Sequence, residues 1–213
     1  MKPIIKGTEP AELTAWKALE NEDWSPTYDD LSGAEKRAVK TALMQEQGYI
    51  CCYCERRLSE QDSHIEHFQP QSDAAVDPLD YSNLLCSCQN QLEKGEPRHC
   101  GNLKGDWFDE HLLVSPMDSD CEQRFKFTGD GNIYPAPDDE AADVTITKLG
   151  LDLPKLVSMR AAAIEPFLSE ELSNDELALF VDGYLQQSES GQYSPFWTTI
   201  RSLFPGLTPR TLA

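Results

Sequence analysis

The chain has 213 residues, of which 39% are hydrophobic and 26% charged, and it carries a formal net charge of −19. That length and balance suit one sizeable folded domain, or a small core with appendages, and exclude disorder as the default. The charge repels polyanions, so a nucleic-acid reader built on this chain needs a local basic patch, bound cations or a basic partner.

No run reaches the roughly 18 apolar residues that cross a bilayer, and the opening MKPIIKGTEP lacks the apolar core of a secretory signal. A cytoplasmic protein with no membrane association is expected. In a reducing compartment the seven cysteines point to metal binding or buried thiols, and the odd count also argues against a disulfide framework.

Residues 9 to 21, EPAELTAWKALEN, read as a short amphipathic helix, and residues 33 to 47 as a second. Ser32 is placed to cap the second, Ala38, Leu43 and Met44 recur at helical spacing, and Gly48 ends it. From Tyr49 to about Glu110 the periodicity fades and Cys, His, Asn, Gly and Pro take over, which marks a region held by ligands more than by a broad apolar core. Residues 111 to 135 alternate in strand fashion, with HLLVSP as one strand and TGDG turning a hairpin between RFKF and NIYP. Beyond the acidic APDDEAAD loop a helical tail is expected, with Asn174 as an N-cap followed by acidic residues.

Cys51 and Cys54 form a CxxC, which aims two thiolates at one point and makes half of a tetrahedral zinc site. The other half must come from Cys86, Cys88, Cys100, Cys121 or a histidine. Cys88 and Cys100 are the choice, because each precedes a polar segment with its own turn or helix signal. Cys52 and Cys86 sit in apolar contexts that suit buried thiols, and Cys121 reads as structural.

Four thiolates leave a zinc no open position, so such an ion is structural and the histidines of HIEHFQP remain to be explained. The stretch reads as a strand entering a turn at Pro70. Successive strand residues point to opposite faces, so Glu66 and His67 serve one site only if the strand ends or bends there. A carboxylate beside a histidine suits metal-assisted phosphodiester cleavage, with Glu66 on a hard divalent ion and His67 as general base. Asn102 is available as a third polar ligand, and Asn83 could pin the loop between the strands and orient the His67 ring. A lone histidine is more often a surface or core residue, and that plain reading fits His99 and His111.

Taken together, CCYCE, HIEHFQPQS, YSNLLCSC and HCGNLKGD resemble the HNH endonucleases with a zinc-stabilised ββα-metal fold, also called His-Me finger nucleases. In that pattern an acidic residue precedes the base histidine, an asparagine lies in the middle, and an asparagine or histidine closes the helix. The resemblance implies catalytic roles for Glu66, His67, Asn83 and Asn102, structural Zn²⁺ on Cys51, Cys54, Cys88 and Cys100, and Mg²⁺ or Mn²⁺ as catalytic ion. Three departures stand out: Glu66 replaces the usual Asp, QNQLEKGEPRH separates the last two zinc cysteines, and His64 is an extra histidine able to share the catalytic ion.

With the segments that follow, from about Gly48 to Ile164, those departures resemble the PtuB-type HNH proteins of retrons and of the Septu anti-phage system. The resemblance implies an α+β chain: N-terminal helices in 1–48, a zinc-bound HNH core in 49–110, and strands with a partner-binding helical tail in 111–213. It also implies an anti-phage effector that cuts nucleic acid beside a PtuA-type ATPase, in retrons together with a reverse transcriptase and its nucleic acid. A zinc-containing adaptor without catalysis is the other functional class. Arg56, Arg57, Lys94, Arg98 and Lys104 could form the required basic patch, and the apolar YSPFWTTIRSLFPGL near the end is expected to bury against the partner.

Overall fold

Ala11–Lys17 forms α1, and Gly33–Glu46 forms α2, in a computed structural model that describes residues 1–92, 94–169 and 172–207. Helix α2 buries Val39, Leu43 and Met44 on one face, so Val39 takes the place that the spacing gave to Ala38. Ser32 stands at the N-cap, but its side chain makes no cap hydrogen bond. Gly48 ends the helix with φ +60, and a Cβ there would collide with the ring of Tyr193. Two needs, a left-handed turn and a close approach, thus fall on one glycine.

Strand β1 (Ser63–His67) pairs antiparallel with β2 (Leu84–Cys88), and the register sets Ser63 opposite Cys88 and His67 opposite Leu84. Their faces are covered by α2 and by the segments around residues 49–58, so all five residues of β2 are buried. A one-turn helix, α3 (Gly101–Lys104), follows.

The strand expected at residues 111 to 116 does not form. Its backbone donors go to turn and side-chain acceptors instead: Leu113 N–H to the Asp109 carbonyl at 2.9 Å and Val114 N–H to Thr145 Oγ1 at 2.8 Å. The hairpin does form, with β3 (Phe125–Phe127) antiparallel to β4 (Ile133–Pro135). After it come α4 (Glu140–Leu149), α5 (Pro154–Ile164), α6 (Asn174–Leu185) and α7 (Trp197–Leu203).

Asn174 is the first helical residue of α6; the cap is Ser173, in a reciprocal capping box with Glu176. The chain is therefore a mixed α+β protein with two small two-stranded sheets among the described residues. No helix among the described residues is long and apolar enough to cross a membrane.

The apolar stretch near the end packs on its own chain. Tyr193 N–H donates to the Gly48 carbonyl at 2.9 Å and Phe196 N–H to the Glu55 carbonyl at 3.0 Å. Thr198 N–H donates to Glu55 Oε2 at 2.7 Å, and Trp197 and Ile200 are buried beside Ile50, Ile164 and Phe167. Its aromatic side chains are thus core, and the segment braces the region that leads into the cysteine cluster. Residues 208–213 of the expected tail lie outside the described residues.

Candidate metal and active site

Four of the cysteines converge. The sulfurs of Cys51, Cys54, Cys88 and Cys100 lie within 4.8 Å of one another, all buried, and Cys54 and Cys88 Sγ are 3.7 Å apart. Zinc–sulfur bonds of about 2.3 Å directed to the corners of a tetrahedron put sulfurs about 3.8 Å apart, so this donor set fits one tetrahedral ion. The CxxC turn supplies two of the ligands, the end of β2 the third and the residue before α3 the fourth.

The buried thiols pull one another's proton affinities apart. Burial pushes the Cys100 thiol well above the usual range, while on Cys51 hydrogen bonds from Cys100, Cys52, Cys54 and Cys88 outweigh burial and hold the thiol well below it. His99, fully buried, brings Nδ1 to 3.1 Å from Cys100 Sγ and 3.7 Å from Cys88 Sγ. It offers an N–H to sulfur charge in the manner of an outer-shell partner. Cys52, Cys86 and Cys121 stand outside the cluster, each buried.

At the far end of β1 lie Glu66 and His67, each 7% exposed. His67 Nε2 lies 2.9 Å from the Pro78 carbonyl oxygen, and the ring meets Tyr28 edge to face at 4.5 Å. A carbonyl only accepts, so in the neutral ring the proton sits on Nε2 and Nδ1 keeps its lone pair. Burial is the main cause that moves the His67 pKa below its ordinary value, with Lys104 and Lys36 adding to it.

Glu66 Oε1 accepts from the Tyr53 hydroxyl at 3.1 Å and faces Lys104 Nζ at 3.0 Å. Burial raises the carboxyl's pKa, but His64 and Lys104 outweigh it, and Glu66 is held below the usual carboxylate range. His64 Nε2 is 3.6 Å from Glu66 Oε2, which lets both reach one cation through bonds of about 2.1 Å.

Gly101 makes that convergence possible. A Cβ there would overlap the Glu66 carboxylate and come within 2.9 Å of His64 Nε2. The glycine thus leaves a cradle at the start of α3 that any side chain would fill.

Asn102, the third ligand expected, donates its amide N–H to the Gln89 carbonyl at 2.5 Å, and no hydrogen bond joins it to Glu66 or His64 among the described residues. Asn83 exchanges two hydrogen bonds with the backbone of Gln69, at 2.8 and 2.9 Å, and its own carbonyl accepts from Phe68 N–H. It fixes the chain just past His67, while the ring itself is oriented by Pro78 and Tyr28.

The basic patch anticipated from the sequence is largely spent on internal contacts. Arg56 pairs with Asp62 at 2.7 Å, Arg57 donates to the Tyr49 and Tyr193 carbonyls, and Lys104 is buried. Only Lys94 and Arg98 of that group are exposed. Sequence reasoning missed Gly101, Tyr53, Tyr28 and Pro78 as site residues. The first carried a signal, since it sits directly between Cys100 and Asn102.

These features define a small α+β protein built around a buried four-cysteine cluster able to hold a metal ion, with a Glu–His pair at the far end of the same strand pair. No protein-family model matches the chain. It is 30% identical over 177 residues to the "Retron Vc95 putative HNH endonuclease" of Vibrio cholerae serotype O1 biovar El Tor, covering 78% of this chain and 83% of that one. It is 29% identical over 120 residues to the "Retron Ec83 putative HNH endonuclease" of Escherichia coli, covering 52% of this chain and 46% of the relative. The chain belongs to the retron HNH endonuclease family.

Proposed function

We propose that the protein is a metal-dependent HNH endonuclease that hydrolyses phosphodiester bonds of nucleic acid. The observation that carries the reading is the placement of His67: Nε2 is tied to the Pro78 carbonyl, Nδ1 has no hydrogen bond among the described residues, and burial lowers the ring's pKa, one residue from a carboxylate whose pKa His64 and Lys104 lower. On this reading β1, β2 and α3 form the ββα-metal core, within a zinc-bound unit spanning residues 49–110. The helices of 1–48 precede that unit, and the strands and helices of 111–213 follow it.

His67 Nδ1 takes a proton from a water as its oxygen attacks phosphorus, and the 3′ or 5′ oxygen departs with the electron pair of the broken P–O bond. Glu66 Oε2 and His64 Nε2 are the side-chain ligands we assign to the catalytic ion; Asn102, turned onto Gln89, is left to brace the loop. A hard divalent cation, Mg²⁺ or Mn²⁺, would there stabilise the charge developing on the phosphate and leaving oxygen. Lys104 anchors Glu66 Oε1 and the His67 carbonyl, so carboxylate and base are positioned by one buried ammonium.

We further infer a PtuB-type anti-phage effector that works beside a PtuA-type ATPase, with a retron reverse transcriptase and its nucleic acid in the same assembly. Family membership supports the retron setting. The net charge of −19 favours a subunit to which substrate is delivered over one that searches for it alone. Leu168, Leu179 and Phe180, exposed around α6, offer the partner an apolar surface.

A non-catalytic adaptor is favoured by one observation, that Lys104 already neutralises Glu66 without an added ion. The deciding experiment is His67→Ala, which should retain fold and zinc content and lose cleavage of nucleic acid in cells expressing the complex. Undiminished cleavage in cells expressing the complex with the variant, while the purified chain cuts nothing with or without the substitution, would establish the adaptor reading.

A further inference from the structure

We propose that a single nucleic-acid strand enters the site along the face of α2, with its phosphates on Lys36 and Arg37 and one unstacked base seated against Tyr49 and Leu58. The inference rests on the nuclease reading above and adds to it the path and strandedness of the substrate.

Two hollows lie on this face. One of about 360 Å³ lies between α2 and β1 and is lined by Tyr28, Lys36, Arg37, Lys40 and His64. The other, of about 410 Å³, is lined by Arg37, Lys40, Met44, Tyr49, Leu58 and Glu60. Arg37 and Lys40 line both, so the two hollows lie side by side along the helix, with the Lys40 side chain between them; together they are called the trough.

Of the site residues, His64 lines the first hollow directly, and Tyr28 on its wall adjoins His67. Tyr28 lies edge-on against the His67 ring, and His64 contacts Glu66. A strand lying in the first hollow therefore brings a phosphodiester beside His64, the cation ligand assigned above, and next to the Tyr28–His67 pair.

The local charge reverses that of the whole chain. Glu60 is the single acid among the described residues lining the trough. Lys36 and Arg37 are exposed and make no ion pair among the described residues, and Lys36 Nζ sits 5.1 Å above the Tyr28 ring. Lys40 is half-buried and donates to the Glu60 and Ser63 carbonyls, which fixes the wall between helix and strand.

Cations on the rim with an aromatic and aliphatic floor fit an unstacked base better than a duplex. In a duplex the bases face one another inside a convex cylinder and leave such a floor empty, whereas a single strand can turn a base onto it. Phosphate and base are common to DNA and RNA, so the trough accepts either.

The test compares full-length chains carrying His67→Ala, with and without Lys36→Gln and Arg37→Gln. Fluorescence anisotropy is read over a KCl series with a labelled single-stranded DNA, the RNA of the same sequence and the DNA duplex. The added pair should weaken single-strand binding about tenfold and reduce the slope of log K against log salt by about 1.4, or roughly 0.7 for each strand phosphate contact removed. Duplex binding should stay weak and change little, with zinc content the same in both proteins.

Unchanged single-strand affinity and slope, absence of single-strand binding by the parent at low salt, or a duplex bound as tightly as a single strand would each overturn the proposal. Parallel loss for DNA and RNA supports a shared track, and loss for one polymer alone supports the track for that polymer. Failure here leaves the nuclease reading standing, because that reading falls only if cleavage in cells survives His67→Ala.

Discussion

Lys104 and Glu66 form a buried ion pair, Nζ to Oε1 3.0 Å, with side chains 1% and 8% exposed, and the lysine also holds the His67 carbonyl at 2.9 Å. Removing one partner of such a pair strands a charge out of water. Lys104→Met should therefore cost about 3–5 kcal/mol, and pairing it with Glu66→Gln should restore much of that. Urea unfolding of the single and double variants measures both. A single variant within 1 kcal/mol of wild type, on the scale of an exposed pair, would show that Lys104 is not the anchor.

On the proposed reading His64 is a ligand of the catalytic ion and Asn102 a brace for the loop. His64→Ala should raise the Mn²⁺ concentration for half-maximal cleavage by at least the roughly tenfold that loss of a supporting group costs. Asn102→Ala should leave that concentration near wild type and cost about 1 kcal/mol of stability, the worth of its hydrogen bond to Gln89. Metal titrations of the two variants, with thermal unfolding alongside, would expose a reversed order.

Gly101→Ala is normally a stabilising kind of change in a helix, worth about 0.5–1 kcal/mol. Here the new methyl group would enter the space of the Glu66 carboxylate and the His64 ring. We expect zinc to be retained, cleavage to be lost and the melting temperature to fall. Metal analysis and a cleavage assay on the same preparation distinguish this from general misfolding.

Asp139 joins the hairpin to α4. It accepts from Arg124 Nε at 2.8 Å and Nη2 at 2.6 Å and caps the helix through Ala142 N–H at 2.9 Å. The Arg124 hydrogen bonds hold its pKa below the ordinary 3.8. A depressed carboxyl stabilises the fold above its unfolded pKa and loses that contribution as pH falls through the folded value. Asp139→Asn should thus cost about 1 kcal/mol at neutral pH, a figure limited by solvent screening of this partly exposed pair, and the two proteins should converge in acid. Denaturation curves at pH 7 and below the ordinary aspartate pKa test the convergence.

The cysteine cluster was legible because zinc ligation imposes a spacing on the chain itself, and Cys51 with Cys54 could be read from four consecutive letters. Both N-terminal helices, the 125–135 hairpin and the helical character of the later segments were legible from periodicity. The hydrogen bond from the Asn102 amide to the Gln89 carbonyl was not, because it depends on how the residues between Cys88 and Cys100 return, which no local pattern encodes. Lys104 read as a surface cation, since nothing in GNLKGD signals burial beneath two strands. Residues 111 to 116 alternate like a strand but lack a partner edge, so their backbone groups found Asp109 and Thr145. The apolar stretch at residues 193–207 was legible as a surface to be covered, and what covers it proved to be residues 48–57 with α5, α6 and β3 of the same molecule.

Cys88 and Cys100 tie both ends of the excursion QNQLEKGEPRH into one knot, and Gln89 reinforces it by accepting from His99 N–H at 2.8 Å and donating to the Pro97 carbonyl at 3.0 Å. Strain or sequence drift between Asn90 and Pro97 is therefore stopped at the knot before it reaches His67, four residue pairs away along the hairpin. Loss of either cysteine would therefore loosen a segment that starts four residue pairs from the chemistry, and the damage would travel inward along the strands.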